Sequence, residues 1–415
     1  MLKKKKTSLI LASLLMLSCA EIMLAQPYPS SSYEINEGYR RLVKWTGPET
    51  NIDFTADPYL KEYVEDIWSH AFDGNENITS VKFSSTLTEI HFNSFGNCPN
   101  LETVEFSEEG LDNSWLTIQS YAFSNCPKLK SVILPKRLTH IGKASFDECP
   151  SLISFTLNKN HPTWKSSGGA IYTKEMDKII KFPQGITGHL DLNGKVKTIG
   201  EGAFYGTMLS SIFIPSVETI EQSAFERSPN LKTVNFPNTL RCINSNAFGR
   251  CKMLKNMILP SSLETIGDFS FANCGAKRFV FKSSTAPKLG LYCFGNIADK
   301  YSVLFVPSAF LQDYLDSWRY PLKASDKTLY SDTSLDGVIR YWGYVDLAYI
   351  VTYNTYDDIL NGGIKAKPDD GSTSNIIEIT GTNIKEDRYY NLQGQRVTYP
   401  RNGIFIKNGK KVIKK

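Results

Sequence analysis

Few residues in this 415-residue chain have the chemistry to bind a metal or attack a substrate: five histidines and eight cysteines stand out. His70, His91, His140, His161 and His189 are scattered, and none forms H-E-x-x-H. Neither G-x-S-x-G nor a phosphate-binding loop is present. His140 fills a variable slot beside Ile141 and reads as a surface histidine. The acidic pairs Glu108-Glu109 and Asp369-Asp370 fall in loops, where solvated charge is the expectation. The cysteines differ, because five of them recur at one place. Cys98, Cys126, Cys149, Cys251 and Cys274 each follow a phenylalanine by three residues. Zinc needs ligand sets such as C-x-x-C, which are absent, and no histidine falls in step with the thiols. Disulfide staples join different positions, whereas these cysteines share one. A column of small buried thiols is therefore expected, since free cysteine packs as a small hydrophobe. Neighbouring thiols would lie about one strand spacing, ~5 Å, apart. A disulfide between Cys126 and Cys149, or Cys251 and Cys274, is sterically conceivable but not predicted. No catalytic residue, metal ligand or cofactor is expected.

The phenylalanines that set this register must be positioned by repeating elements. Phe225, Phe248, Phe271 and Phe294 are each 23 residues apart, as are Phe72 and Phe95, and Phe123 and Phe146. A fixed period of this size marks a solenoid, in which each unit buries its apolar side only by stacking on its neighbours. The intervals Phe95–Phe123 and Phe146–Phe204 are longer. The first holds a loop in SEEGLDNSW, and the second an irregular unit at 158–203. Nine marked repeats lie between about residues 60 and 300. Within one of them, Leu129, Val132 and Leu134 form an L-x-x-V-x-L strand, ended by Pro135, which cannot donate to a ladder. Leu138, Ile141 and Phe146 form a second apolar set. Each coil thus carries two short extended runs.

The phrases CPKLKSVILPKRLTHIGKASF at 126–146 and CKMLKNMILPSSLETIGDFSF at 251–271 resemble the bacterial BspA-like, Treponema-type leucine-rich repeat. The resemblance covers roughly residues 60–320. It implies a mainly β repeat solenoid: a right-handed leucine-rich-repeat coil of about nine 23-residue repeats with a parallel concave sheet. It also implies a non-enzymatic surface protein that adheres to host matrix proteins or to other cells. Asn75, Thr207, Ser228 and Ile297 replace the cysteine in four coils.

The rest of the chain is organised around that array. Residues 1–25 read as a signal peptide, with Lys3–Lys6 before the apolar Leu9–Leu17. Cleavage after Ala20 or Ala25 and lipidation at Cys19 all remain open. No later stretch has 18 consecutive apolar residues, so no transmembrane span is expected. Residues 26–57 read as an N-terminal cap and 58–323 as the solenoid. Within 158–203, Gly168-Gly169 points to a hairpin. Residues 286–323 read as a C-terminal cap whose helix is N-capped by Ser308. Residues 324–380 are a small region with a polar linker at 367–375. Residues 381–415 form a small C-terminal β module. Its YYNLQGQRV, GIFI and NGKKVIKK resemble sorting modules of exported Bacteroidetes proteins. Net charge is only +5, which makes no case for nucleic acid.

A binding face can be read from strand alternation. The third strand position (Ser80, Thr103, Ser131, Ser154, Ser211, Thr233, Asn256, Arg278) is mostly small and hydroxylic. The fifth is Lys82, Glu105, Ile133, Thr156, Phe213, Asn235, Ile258 and Val280. Four of these eight are apolar where solvent is expected. A protein or glycan ligand, host extracellular matrix included, is expected on this column around Phe213, Ile258 and Val280.

Overall fold

The computed structural model describes residues 28–108, 115–255, 257–276, 278–295 and 302–318, with short strands between 338 and 414. The signal-like segment, Ile297 and the 367–375 linker lie outside the described residues. Each coil lays one strand in each of two parallel ladders. The first ladder runs Asn51–Asp53, Ser80–Phe83, Thr103–Phe106, Ser131–Leu134, Ser154–Leu157. Ser80, Thr103, Ser131 and Ser154 stand in one register row. It resumes at Gly188–Asp191, Leu209–Phe213 and Thr233–Asn235, and again from Met257–Leu259 through Arg278–Phe281 to Ser302–Pro307. The second ladder runs from Arg41–Trp45 to Leu138–Ile141, and then from Lys178–Lys181 to Lys288–Leu289.

A column of aromatic rings fills the space between the ladders. Phe72, Phe95, Phe123 and Phe146 stack at 4.3, 5.0 and 5.3 Å. Phe204, Phe225, Phe248, Phe271 and Phe294 continue at 4.9, 5.1, 5.3 and 5.9 Å. Two members lie off the 23-residue period. Trp45 stacks on Phe72 at 5.6 Å, and Phe182 packs on Phe204 at 4.8 Å. Among the described residues the coils therefore number about eleven, not nine. The first lies in the segment expected to cap the array and the other inside the irregular unit. In most coils the residues two before and two after the phenylalanine have positive φ, as at Asn93 and Asn97 or Asn246 and Arg250. Asparagine tolerates this conformation better than most residues. The glycine of the recurrent I-G pair has a different reason. A Cβ at Gly142 would lie 2.3 Å from the Ser120 nitrogen of the preceding coil, and one at Gly267 would lie 2.6 Å from the Ser245 nitrogen.

The thiol column is present, and its cysteines are free and buried. Geometry explains the position. The Sγ of Cys98, Cys126, Cys149 and Cys251 donates to the carbonyl of the phenylalanine one coil earlier, at 3.0–3.2 Å. Ser228, in a cysteine position, gives its hydroxyl to the Phe204 carbonyl at 3.1 Å. The column selects a small donor, which is why serine can replace cysteine there. Cys251→Ser should thus destabilise less than Cys251→Val, which takes one donor from the Phe225 carbonyl and leaves it those of Ser228, a loss of about 0.5–1.5 kcal/mol. Urea unfolding of the two variants checks the order; the reverse order removes the donor role.

The irregular unit interrupts this regularity. Trp164–Ser167 and Ala170–Thr173 form the expected hairpin over Gly168-Gly169, both at positive φ. Lys178–Lys181 then joins the second ladder, in parallel with Thr198–Ile199. Backbone rungs such as Phe123 N to Ser145 O tie regular coils together. Between the coil of Phe146 and that of Phe204, side chains add to backbone bonds such as Gly185 N to Leu152 O and Phe182 N to Ala203 O. Lys181 Nζ donates to the carbonyls of Gly142, Lys143 and Gly202. Gln184 accepts from Cys149 N and donates to Gly206 O. The apolar interior divides here. Ile171 belongs to the N-terminal core, while Ala170 and Tyr172 on the same strand belong to the C-terminal one.

The ends are closed by local structure. Tyr33–Asn36 lies antiparallel on Arg41–Trp45. Asp57 caps the helix Pro58–Tyr63, accepting from the Tyr59 and Leu60 nitrogens. At the other end Ser308 is not the expected N-cap. Ser308 instead opens a 3-10 turn, Ser308–Phe310, which Pro307 precedes and which leads into the helix Leu311–Trp318. This helix packs over the last coils, with Tyr314 hydroxyl on Ser283 O and Trp318 indole on Pro287 O. Tyr389–Tyr390, Arg396–Val397, Gly403–Lys407 and Lys410–Lys414 form an antiparallel sheet of their own.

Candidate binding face

Alternation along the first ladder sends valine and leucine inward and the fifth position outward. Ser80–Phe83, Thr103–Phe106, Ser131–Leu134 and Ser154–Leu157 all show this pattern. Lys82, Glu105, Thr156 and Asn235 are exposed. Ile133, Phe213 and Ile258 keep 44, 41 and 41% of their surface in solvent. Val280 departs from expectation at 6% exposed. Its register partner Phe305 is 1% exposed, so this end of the column is interior, and Val280 cannot serve as a contact. The third-position hydroxyls are mostly half-buried, and Asn256 lies outside the described residues.

The apolar residues of the face do not adjoin. Ile133 stands between Glu105 and Thr156, and Phe213 between Asp191 and Asn235. Lys82 lies 3.9 Å from Asp53. Beside Phe213, His189 bridges Ser211 Oγ at 2.7 Å and Asp191 at 3.0 Å. These are the residue types of a hydrolytic triad, but the His189 and Asp191 side chains are 52 and 75% exposed. Water there screens the electrostatic stabilisation that acyl transfer requires.

Two clusters escaped the sequence reading. On the second ladder Asp66 and Glu89 are register partners, and His91 Nε2 lies 3.7 and 3.6 Å from them. Arg41 pairs with Asp66 at 2.9 Å and stacks on Trp68 at 3.7 Å; Gln119 donates to Glu89. Burial pushes the Asp66 carboxyl up, but the facing imidazole and guanidinium outweigh it and hold it below its usual value. The donor set could hold a cation, yet its carboxylates already have partners, so it reads as an ion-pair network. The 23-residue spacings 66–89 and 68–91 carried the signal. At the seam, a cavity of about 430 Å³ is lined by Asn125, Asp147, Glu148, Gln184, Met208 and Arg227, among others. Burial raises the Asp147 carboxyl, opposed by Arg227.

Two parallel ladders around a stacked phenylalanine interior define a leucine-rich β-solenoid. The chain matches the BspA type leucine rich repeat region in six copies, over residues 55–168 and 182–299, more than half its length. It belongs to that family, a non-enzymatic repeat scaffold. Among solved structures it is similar to the pneumococcal vaccine antigen PcpA, at 17% identity and a TM-score of 0.43, covering 67% of this chain and 89% of that one. It is similar also to a leucine-rich cell surface protein of Faecalibacterium prausnitzii, at 19%, 0.37, and 71 and 98% coverage. The T. pallidum leucine-rich repeat protein gives 21%, 0.33, and 55 and 90%. No curated protein matches the chain. The family assignment rests on the repeat match.

Proposed function

We propose that this is an exported surface protein that holds a macromolecule outside the cell on the outward face of its first ladder, and that adhesion is the result. One observation carries the reading. The same short strands that bury Val81, Val104, Val132 and Phe155 present Lys82, Glu105, Ile133 and Thr156 to solvent in one continuous row. Inward positions are fixed by packing, so outward ones are free to specialise for a ligand. Coils at the strand spacing give a row roughly 40 Å long, enough for a standard interface of about 800 Å² per partner. Among the described residues no helix is long and apolar enough to cross a membrane.

The test is a double substitution, Phe213→Asp with Ile258→Asp. Both residues are exposed, so the unfolding midpoint should stay close to that of the parent chain. Retention of matrix proteins, polysaccharides or cells by the immobilised full-length chain should be lost. Unchanged retention rejects this face.

A further inference from the structure

We infer that the face carries a subsite for an uncharged glycan, built on Phe213 with Asp191 and Asn235 beside it. The inference rests on the reading of this ladder as the binding face and names the ligand class. The three residues are one register row: Asp191 pairs with Phe213, and Phe213 with Asn235, on parallel strands. All three are exposed. The row two residues earlier is His189, Ser211 and Thr233, also in register. Phe213 is thus the one apolar member of a two-by-three array of hydrogen-bonding side chains. His189 is held from both sides, by Ser211 at 2.7 Å and by Asp191 at 3.0 Å, so part of the array is ordered in advance.

This composition separates two kinds of partner. A protein hot spot is a cluster of large side chains in a desolvated centre surrounded by further contacts that exclude water. Phe213 lacks apolar neighbours in its row, and Asn235 separates it from the strand of Ile258. A sugar needs the opposite arrangement: one aromatic face for its C–H side, and donors and acceptors around it for its hydroxyls. The amide of Asn235 and the hydroxyls of Ser211 and Thr233 offer both functions, and the Asp191 carboxyl oxygens add acceptors. Strand neighbours lie about 4.8 Å apart, close enough for adjacent side chains to meet one sugar ring. Neither row holds a lysine or arginine to pair with the carboxylate of a uronic or sialic acid, which favours a neutral ligand.

The experiment presents the full chain to immobilised neutral polysaccharides (mannan, dextran, xylan), to acidic ones (hyaluronan, alginate), and to fibronectin and collagen. At least one neutral polysaccharide should be retained. Phe213→Ala should weaken that retention about tenfold, in line with an aromatic contact, and Asn235→Ala several-fold. Met253→Ala, at an exposed position in a turn off the ladder, should leave it unchanged. Equal unfolding midpoints confirm that the variants are folded. Failure of every neutral polysaccharide, or retention indifferent to Phe213→Ala, overturns the subsite. If a matrix protein is retained instead, and the Phe213→Asp, Ile258→Asp chain loses it, the binding face stands and the glycan subsite falls.

Discussion

Phe248→Ala is expected to lower the free energy of unfolding by about 3–5 kcal/mol, the range for deleting a buried aromatic ring. Phe248 is fully buried. It lies nearly parallel to Phe225 at 5.1 Å and to Phe271 at 5.3 Å, with Phe236 edge-on at 5.7 Å. The adjacent coils are held apart by their own ladder rungs, so the structure cannot collapse into the space left behind. A solenoid coil contacts only its neighbours, so the damage stays local. The C-terminal core should unfold in urea before the N-terminal one. Tryptophan emission distinguishes the two, because Trp45 belongs to the N-terminal core and Trp318 to the C-terminal one. A loss below about 1 kcal/mol would mean that the ring column does not hold the coils together.

Lys181→Met is the second large effect, expected at about 1–3 kcal/mol. The substitution keeps the apolar stem but removes the ammonium from the Gly142, Lys143 and Gly202 carbonyls; Ser145 N and Tyr205 N still serve Gly142 O and Gly202 O, whereas Lys143 O loses its donor, at a cost of about 1–3 kcal/mol. It also takes away a positive charge near buried Asp147. Lys181 carries its own signature in pH. Burial pushes its ammonium down to about 7, against an ordinary value of 10.5, with Asp147 opposing. Between those two values the unfolded chain binds a proton that the folded chain does not. Stability of the parent chain therefore rises with pH through that window, with a slope of at most about 1.4 kcal/mol per pH unit from this group. Below pH 7 both states are protonated and the contribution is flat. Unfolding at pH 7, 8.5 and 10 should show the parent gaining stability relative to the variant as pH rises; a constant difference would show that Lys181 stays charged in the folded protein.

The repeat register was open to reading because it rests on a physical rule that leaves marks at fixed spacing. Phe, Cys, Ile-Gly and the small residue before Phe each answer a coil-to-coil contact, and those contacts recur. Trp45 and Phe182 were missed for the same reason. They sit at the column but off the 23-residue spacing, where packing accepts another aromatic ring at a different distance along the chain. Ser308 was misread as a cap because a 3-10 turn intervenes, which propensity alone does not reveal. On the candidate face, alternation correctly separated inward from outward for Lys82, Glu105, Ile133, Thr156, Phe213, Asn235 and Ile258. It failed at Val280, because burial there depends on Phe305, a residue on the next strand of the ladder. The His189 bridge was likewise invisible, since strand register brings Ser211, 22 residues away, to the ring.

The thiol column has a consequence for reactivity. Burial pushes the Cys251 thiol up and Cys274 to about 12, so the nucleophilic thiolate is disfavoured at any physiological pH. The Cys251 sulfur also spends its hydrogen on a carbonyl inside the stack. Oxidants and alkylating reagents can reach such an atom only when its own coil breathes, so the chain carries a set of silent reporters spaced along its axis. Each would register local opening at a known position while leaving the closed protein untouched.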